Sequence, residues 1–415
     1  MHGYVRRLLT TTAAYQVGDL VAKVFAVALL PVYTRHVSEA DYGIAELLMT
    51  GIVLLSIVVR LGIGEAFVRY HFADEDPARR DALARRAVGF LLAATTLVAL
   101  PLAAFAAPLS ELVLDVRDPA VFRVAVLGLW TFTNLELAYA LLRVEERAKA
   151  YAITTLCNVA LTIALTVLLV VVRDEGAFGL LLGNYGASTV VLLGLWWMER
   201  ARLLPRRGGA DHPRLHSLRA LLRFGFPTVP ADASVYALNL VDRYYLFHRY
   251  GAATAGIYSL SVKLAGVVAF VVRAFQYAWP PLAYSIKDDR EAARFYAFIA
   301  TYYLLLTGWA VAGLLLLGRW LTRLLAAPAF YEAHVALPWL ALGWALYGLF
   351  VIFLAIAGRV EATTRNFPAA AVGLAVNVVL LLALTPALGI AGAGLALCGA
   401  YVAMLVAMRF LTRRL

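Results

Sequence analysis

Residues 16–72 read QVGDLVAKVFAVALLPVYTRHVSEADYGIAELLMTGIVLLSIVVRLGIGEAFVRYHF. Two long apolar runs in this stretch flank a short polar corner at Ser38, a pattern that predicts two adjacent helices joined by a tight turn. Each run is long enough to cross roughly 30 Å of hydrocarbon. The stretch therefore predicts a pair of membrane-crossing helices.

A second version of this pattern lies 213 residues further along the chain. The ungapped shift pairs identical residues, among them Asp19 with Asp232, Gly43 with Gly256, Arg60 with Arg273, and Gly176, Gly179 and Gly186 with Gly389, Gly392 and Gly399. A mid-helix acid, a corner glycine and a Val-Val-Arg ending thus recur in one register, which composition alone does not explain. The repeat predicts two parallel halves.

The composition is that of a polytopic membrane protein. Of the 415 residues, 63% are hydrophobic and 15% are charged, and the mean hydropathy is +0.79, well above the range of soluble domains. The formal charge of +11 arises from Arg and Lys gathered in alternate loops, which favours the positive-inside rule. No nucleic-acid partner is expected.

Each half contains six apolar runs of membrane-crossing length. They lie at about 12–34, 43–68, 87–109, 121–142, 151–172, 177–198, 224–247, 255–282, 293–317, 333–357, 367–386 and 389–411. The predicted fold is an all-α polytopic membrane protein with twelve transmembrane helices in two parallel, pseudo-symmetric six-helix lobes. We expect an N-lobe at 1–198 (helices 1–6), a cytoplasmic linker at 199–223 and a C-lobe at 224–415 (helices 7–12).

The distribution of basic residues predicts the orientation of the chain. With the N-terminus inside, 25 of the 37 basic residues fall in inside loops, 8 in outside loops and 4 within the spans. This bias predicts that both termini are cytoplasmic. Because each half has an even number of spans, both halves enter the membrane in the same direction.

Ionisable side chains within the predicted spans mark candidate functional positions, because each costs on the order of 3 kcal/mol at membrane depth. Helical spacing places Asp19 and Lys23 on one face of the first helix, and Glu46, Thr50, Arg60 and Gly64 on one face of the second. The repeat puts Asp232, Lys263 and Arg273 on the corresponding helices of the second half, and Glu136 lies on the fourth helix.

Two interpretations of these residues remain open. In the first, Asp19 pairs with Arg60 and Asp232 pairs with Arg273, so that the charges neutralise one another inside the membrane. In the second, the cationic side chains face a wet cavity and attract an anionic group. Arginine suits phosphate through its bidentate fork, whereas lysine supplies a point charge.

No pattern in the sequence indicates catalysis. The seven histidines lie in loops or at span ends without metal-ligand spacing, and no Ser/His/Asp grouping, P-loop or paired-carboxylate motif is found. We therefore expect a protein that is not an enzyme, with no catalytic residues, no metal site and no cofactor.

Several local motifs resemble the Wzx-type polysaccharide flippases of the multidrug/oligosaccharidyl-lipid/polysaccharide (MOP) superfamily. They are PVYTR at 31–35 followed by SEADYG at 38–43, FGFP at 224–227, Asp242-Arg243, and GIYSL at 256–260. The resemblance implies a flippase that moves a polyprenyl-diphosphate-linked oligosaccharide, such as an O-antigen, capsule or exopolysaccharide repeat unit, across the cytoplasmic membrane by alternating access. It also implies membrane lipid, a glycan polymerase and glycosyltransferases as partners, and a functional monomer.

The resemblance and the in-span charges together suggest roles for individual residues. Arg60 and Arg273, assisted by Lys23 and Lys263, are the candidates for binding the diphosphate. The candidates for ion or proton coupling are Asp19, Asp232 and Glu136.

Two other functions are weighed against the flippase. A cation-coupled multidrug exporter of the same fold would be expected to have a more acidic, aromatic-lined cavity, and the four in-span bases argue against it. A membrane glycosyltransferase or polymerase would need large outer loops with catalytic carboxylates, and the outer segments here are short.

Overall fold

The computed structural model describes residues 25, 27–203, 217–285, 288–359 and 366–412. Throughout these residues the regular secondary structure is helical, without strands. The chain divides into two compact units, Met1–Ala233 and Ser234–Leu415. The all-α class predicted from composition is confirmed, while the lobe boundaries at 199–223 stay a prediction.

The first unit contains ten α-helices in its described residues, and the last segment of the unit begins an eleventh. They are α1 (Leu30–His36), α2 (Glu39–Arg60), α3 (Ile63–Ala73), α4 (Pro77–Ala104), α5 (Ala106–Leu114), α6 (Pro119–Val144), α7 (Ala148–Thr166), α8 (Gly176–Met198), α9 (Arg200–Leu203) and α10 (Leu218–Gly225). A π-helical turn, Val167–Val172, extends α7.

Helix α11 (Val229–Tyr250) begins in the first unit and continues into the second, and a 3-10 turn, Phe226–Thr228, joins it to α10. The remaining helices lie in the second unit: α12 (Ala252–Ser285), α13 (Asp289–Leu325), α14 (Leu337–Arg359), α15 (Asn366–Leu388) and α16 (Ile390–Thr412). A 3-10 helix, Pro328–Val335, precedes α14.

Ten of the described helices are long and apolar enough to cross a membrane, and the chain is a multi-pass membrane protein. Ten of the twelve predicted spans correspond to these helices. The predicted span at 224–247 forms helix α11, which carries Asp232, Asp242 and Arg243 and is therefore more polar than the other spans. The predicted first span at 12–34 lies mostly outside the described residues.

The helix boundaries follow the internal repeat. Helix α2 begins at Glu39 and α12 begins at Ala252, 213 residues later, so Gly43 and Gly256 are both the fifth residue of their helix. At the other end of each half, Gly176 and Gly389 both have positive φ, 45° and 56°, where the last long helix begins. The backbone thus repeats in the register that the sequence predicts.

One difference between the two halves lies at the end of α2. Helix α2 ends at Arg60 because Leu61 and Gly62 both adopt left-handed backbone conformations, with φ of 49° and 70°, and α3 begins afterwards. The prediction of one continuous helix at 43–68 was therefore wrong. In the second half Phe275 occupies the position equivalent to Gly62, and α12 continues without a break to Ser285. A bulky residue disfavours positive φ, which only glycine adopts readily.

Ion pairs connect the segments between helices at one end of the first unit. Arg202 pairs with Asp81 and Glu145, and Arg147 pairs with Glu145 and Glu199. These residues follow the second, fourth and sixth predicted spans, which the predicted topology places on one side of the membrane. We call this group the ion-pair cluster.

Candidate functional site

A cavity of about 510 Å³ lies in the first unit, where the end of α2, helix α3, helices α4 and α6, and the end of α10 meet. We call it the arginine cavity. Its charged lining residues are Arg60, Glu65, Arg69, Glu136 and Arg143.

The walls of the cavity are fixed by an apolar core. Ile63 and Phe67 of α3, Leu83 of α4, Leu141 of α6 and Leu221 of α10 belong to one buried cluster. Close packing of such side chains fixes the positions of neighbouring helices. The four helices therefore hold the charged side chains on a packed scaffold.

The break at Leu61 and Gly62 places two helices on one side of the cavity. Arg60 is the last residue of α2, and the cavity face of α3 carries Gly64, Glu65, Val68 and Arg69 at helical spacing. The expected single polar face from Glu46 to Gly64 is interrupted by this break. Glu46 itself is buried within α2 at 6% exposure.

The cavity has an excess of positive charge, with three guanidinium groups against two carboxylates. Across the described ranges, none of these five side chains forms an ion pair with another residue. Two of the arginines rest near aromatic rings, with Arg69 Cζ 4.8 Å from the ring of Phe224 and Arg143 Cζ 6.0 Å from the ring of Tyr151. Among the described residues these guanidinium groups are thus held without a direct ion pair.

The cavity is close to one end of the membrane-crossing helices. Arg60 ends one candidate span, Glu39–Arg60, and Arg143 is the penultimate residue of another, Pro119–Val144. Glu136 is eight residues before the end of that second helix, which places it about 12 Å deeper at 1.5 Å per residue. The site can therefore receive a group that sits at the membrane surface and extends inwards.

Of the predicted site residues, the structure brings Arg60 and Glu136 together in this cavity. Asp232 lies in the first turn of α11, and the charges of both Glu65 and Arg60 act on its carboxylate. Asp232 is exposed and lies within electrostatic reach of Arg60.

The other predicted site residues are described less fully. Lys263 is a half-buried residue of α12 in the second unit. Arg273 is in the same helix, but its side chain lies outside the described part of the structure. Asp19 and Lys23 also lie outside the described residues. The proposed Asp19–Arg60 and Asp232–Arg273 pairs therefore stay predictions.

The sequence interpretation missed three members of the cavity, namely Glu65, Arg69 and Arg143. Arg69 and Arg143 directly follow the predicted spans at 43–68 and 121–142, so they are among the 25 basic residues of the inside loops. The available signal was Gly62, since a glycine after a long apolar run is a common helix end. A helix that ends there turns Glu65 and Arg69 back towards Arg60.

The Asp242-Arg243 motif forms a second, fully buried polar group between α11 and α12. The Tyr258 hydroxyl donates to Asp242 Oδ2 over 2.9 Å, and Arg243 Nε donates to Ser259 Oγ over 3.0 Å. Arg243 also donates to the backbone carbonyl of Asn239. Both charged side chains are at most 6% exposed, so these bonds join the two helices inside the second unit.

The family described as "Polysaccharide biosynthesis protein" matches residues 8–287. A curated relative, "Lsg locus putative protein 1" of Haemophilus influenzae, is 22% identical over 294 residues, which are 69% of this chain and 68% of the relative.

Two solved structures share the fold. The lipid II flippase MurJ in an inward closed conformation matches with a TM-score of 0.75 at 14% identity, over 96% of this chain and 87% of that one. An inward-facing multidrug resistance MATE family transporter of the MOP superfamily matches with a TM-score of 0.73 at 14% identity, over 95% and 94% of the two chains. At such identities the similarity establishes the fold.

Proposed function

The chain belongs to the polysaccharide biosynthesis protein family, and from this membership we propose that it is a flippase for a polyprenyl-diphosphate-linked oligosaccharide. The flippase moves its substrate across the cytoplasmic membrane by alternating access. The polyprenyl chain stays in lipid while the diphosphate and the sugars pass through the protein.

The observation that carries this proposal is the arginine cavity. Arg60, Arg69 and Arg143 present guanidinium groups that have no carboxylate partner among the described residues. Such groups bind phosphate oxygens through paired, charge-assisted hydrogen bonds. A diphosphate carries enough negative charge to bind all three. The position of the cavity at the ends of the spans fits a headgroup entering from the membrane surface.

Individual residues take distinct roles in this proposal. Arg60, Arg69 and Arg143 bind the diphosphate, with Lys23 assisting. In the second half Arg273, which the repeat pairs with Arg60, takes the same role with Lys263. Glu136 and Asp232, together with Asp19, couple transport to an ion or a proton. The two carboxylates of the cavity, Glu65 and Glu136, lower its affinity for the anion, so that the substrate can be released.

The names of the relatives support a lipid-linked glycan as the substrate class. One structural neighbour is a lipid II flippase, and the family concerns polysaccharide biosynthesis. Another neighbour is a multidrug resistance transporter, which keeps drug export as the alternative. An excess of arginine over carboxylate disfavours cationic drugs by direct repulsion.

The proposal extends to the location and partners of the protein. The flippase lies in the cytoplasmic membrane with both termini inside the cell and works as a monomer. Glycosyltransferases supply its substrate on the inner side, and a glycan polymerase receives it on the outer side.

The test is glycan display on cells that lack the chromosomal gene. The wild-type protein is expected to restore display, whereas Arg60→Gln combined with Arg143→Gln is expected to abolish it at unchanged abundance in the membrane. The matched control is Arg117→Gln, which removes an exposed arginine that does not line the cavity.

Drug export is measured in the same strains, as efflux of a lipophilic cationic dye. Dye efflux by the wild-type protein without any effect on glycan display would contradict the flippase and establish the exporter. Full display by the double arginine variant would remove the cavity from the substrate path.

A further inference from the structure

A second cavity, of about 570 Å³, lies in the second unit between α11 and α15. We call it the α11–α15 groove. Its floor and sides are apolar, formed by Leu240 and Val241 of α11 and by Val378, Leu381 and Leu382 of α15. Leu382 is 54% exposed. Exposed leucine and valine at membrane depth face hydrocarbon, so the groove is open to the lipid.

One end of this groove is polar and cationic. Tyr244, Tyr245, His248 and Arg249 line it near the end of α11. The rings of Tyr244 and His248 lie 4.1 Å apart. Arg249 is exposed and forms no ion pair within the described ranges. Tyrosine and arginine in this arrangement are typical of the level where lipid headgroups begin.

The length of the groove corresponds to one leaflet. Leu240 and Arg249 are nine residues apart on α11, which is about 13 Å along the helix. Half of a hydrocarbon core is about 15 Å thick. Arg249 precedes the last residue of α11, and the apolar end of the groove therefore reaches close to the middle of the bilayer.

We propose that the α11–α15 groove binds one anionic phospholipid of the leaflet into which Arg249 projects, the outer leaflet in the predicted topology. One acyl chain lies against Val378 and Leu382, and the phosphate accepts hydrogen bonds from Arg249. The tyrosine hydroxyls at the same level contact the glycerol region. The match of an apolar channel one leaflet long to a cationic end selects an amphipathic anion, and a purely apolar or a soluble ligand would satisfy only one end. This site is separate from the arginine cavity, and the proposal does not depend on the flippase activity.

The test is native mass spectrometry of the purified, detergent-solubilised protein titrated with phosphatidylglycerol or with phosphatidylcholine of the same chains. The wild-type protein is expected to retain one phosphatidylglycerol more tightly than further copies, and more tightly than phosphatidylcholine. Arg249→Gln is expected to weaken that first binding step about fivefold, the contribution of one basic residue near anionic lipid. Leu382→Trp, which fills the groove, is expected to weaken the binding of both lipids.

The matched control is Arg319→Gln, an exposed arginine of α13 that does not line the groove. It is expected to leave the first binding step unchanged. Equal binding of the two lipids by the wild-type protein would overturn the headgroup assignment. If Arg319→Gln weakens the first binding step as much as Arg249→Gln does, the effect is one of general surface charge. If Leu382→Trp leaves lipid binding unchanged, the acyl chain does not lie in the groove. Each of these results contradicts the proposal.

Discussion

The backbone of Gly62 lies directly against the backbone of Gly225. A Cβ atom built on Gly62 would collide with the carbonyl group of Gly225, and a Cβ atom built on Gly225 would collide with the carbonyl group of Gly62. The break between α2 and α3 is thus in contact with the end of α10. Neither of the two backbone segments can carry a side chain where they cross.

Gly62→Ala is expected to destabilise the protein by at least about 2 kcal/mol, because alanine strains the positive φ and its methyl group collides with backbone atoms. The measurement is thermal unfolding of the purified protein, with abundance in the membrane alongside. Gly51→Ala serves as the control, since nothing lies within 4 Å of a Cβ there. If both variants unfold at the wild-type temperature, the two backbones are not in contact.

Replacing Arg202 tests the ion-pair cluster. Arg202→Met removes the partner of Asp81 and one of the two partners of Glu145, which keeps Arg147. A partly buried carboxylate then loses its ion pair, so a loss of about 1–3 kcal/mol is expected. Arg200→Met is the neighbouring control, because Arg200 stacks on Trp197 at an exposed position. Comparable unfolding temperatures for the two variants would show that the cluster contributes no stability.

His71 is expected to make the stability of the protein dependent on pH. Its side chain is 3% exposed, and burial, followed by the charges of Arg80 and Arg202, lowers its pKa, although Asp81 opposes the shift. The unfolded chain therefore takes up the proton first. Stability is fully present above about pH 6.5 and falls as the pH drops below that value, by up to about 1.4 kcal/mol per unit.

The measurement is thermal unfolding at pH 7.5 and pH 5.5. His71→Phe is expected to reduce the difference between the two temperatures, because phenylalanine fills the same apolar space beside Phe67 and cannot be protonated. An unchanged difference in this variant would assign the pH dependence to other groups.

The charges of the arginine cavity are expected to act on ligand affinity with opposite signs. With farnesyl diphosphate as a soluble probe, Arg143→Gln should weaken binding about tenfold, the value of a charge-assisted hydrogen bond. Glu136→Gln should strengthen binding severalfold, because it removes a repelling carboxylate. Binding is measured by native mass spectrometry. Weaker binding in both variants would indicate a structural disturbance and contradict an electrostatic role.

Arg60 distinguishes a substrate role from charge neutralisation. If Arg60 only balances Asp19, the double change Asp19→Asn with Arg60→Gln should restore the glycan display that Arg60→Gln loses, since no unpaired charge remains. We expect the double variant to fold and still fail to restore glycan display. Arg60→Lys should retain partial activity, because lysine keeps the charge but lacks the bidentate geometry of the guanidinium group. Recovery of display at wild-type abundance would leave Arg60 a structural residue.

The distribution of basic residues predicts the orientation of the chain in the membrane. In a background without Cys157 and Cys398, Gly208→Cys should resist an impermeant thiol reagent added outside intact cells. His36→Cys, which is exposed beside the Ser38 corner, should react with it. The opposite pattern would reverse the topology.

The sequence was sufficient for the architecture because helices that cross a membrane must be long and apolar, and the repeat set their register from Gly43 to Gly256. It was less informative where a break depends on tertiary contact. Apolar residues continue on both sides of Gly62, so hydropathy predicted one helix at 43–68. The glycine is required by the approach of Gly225, which is 163 residues away in the chain, and no local pattern reports that contact.

Part of the candidate site was predictable from the sequence. Arg60 and Glu136 stood out because charge is costly within apolar runs. Arg69 and Arg143 lie at or beyond the ends of such runs, where charge is ordinary, and only the packing of α3 against α6 turns them into one cavity. Spacing along a single helix could not reveal residues from separate helices.

The packing of α10 has a consequence for protein fragment complementation. A cut between residues 204 and 216 leaves Leu221 on the later fragment, whereas the side chains that bury it, among them Ile63, Phe67 and Leu83, remain on the earlier one. The later fragment would thus carry the short amphipathic helix α10 near its start, and the earlier fragment would carry the apolar site that binds it. Coexpressed halves of this chain are therefore expected to find each other, and Leu221→Asp would prevent their reassembly.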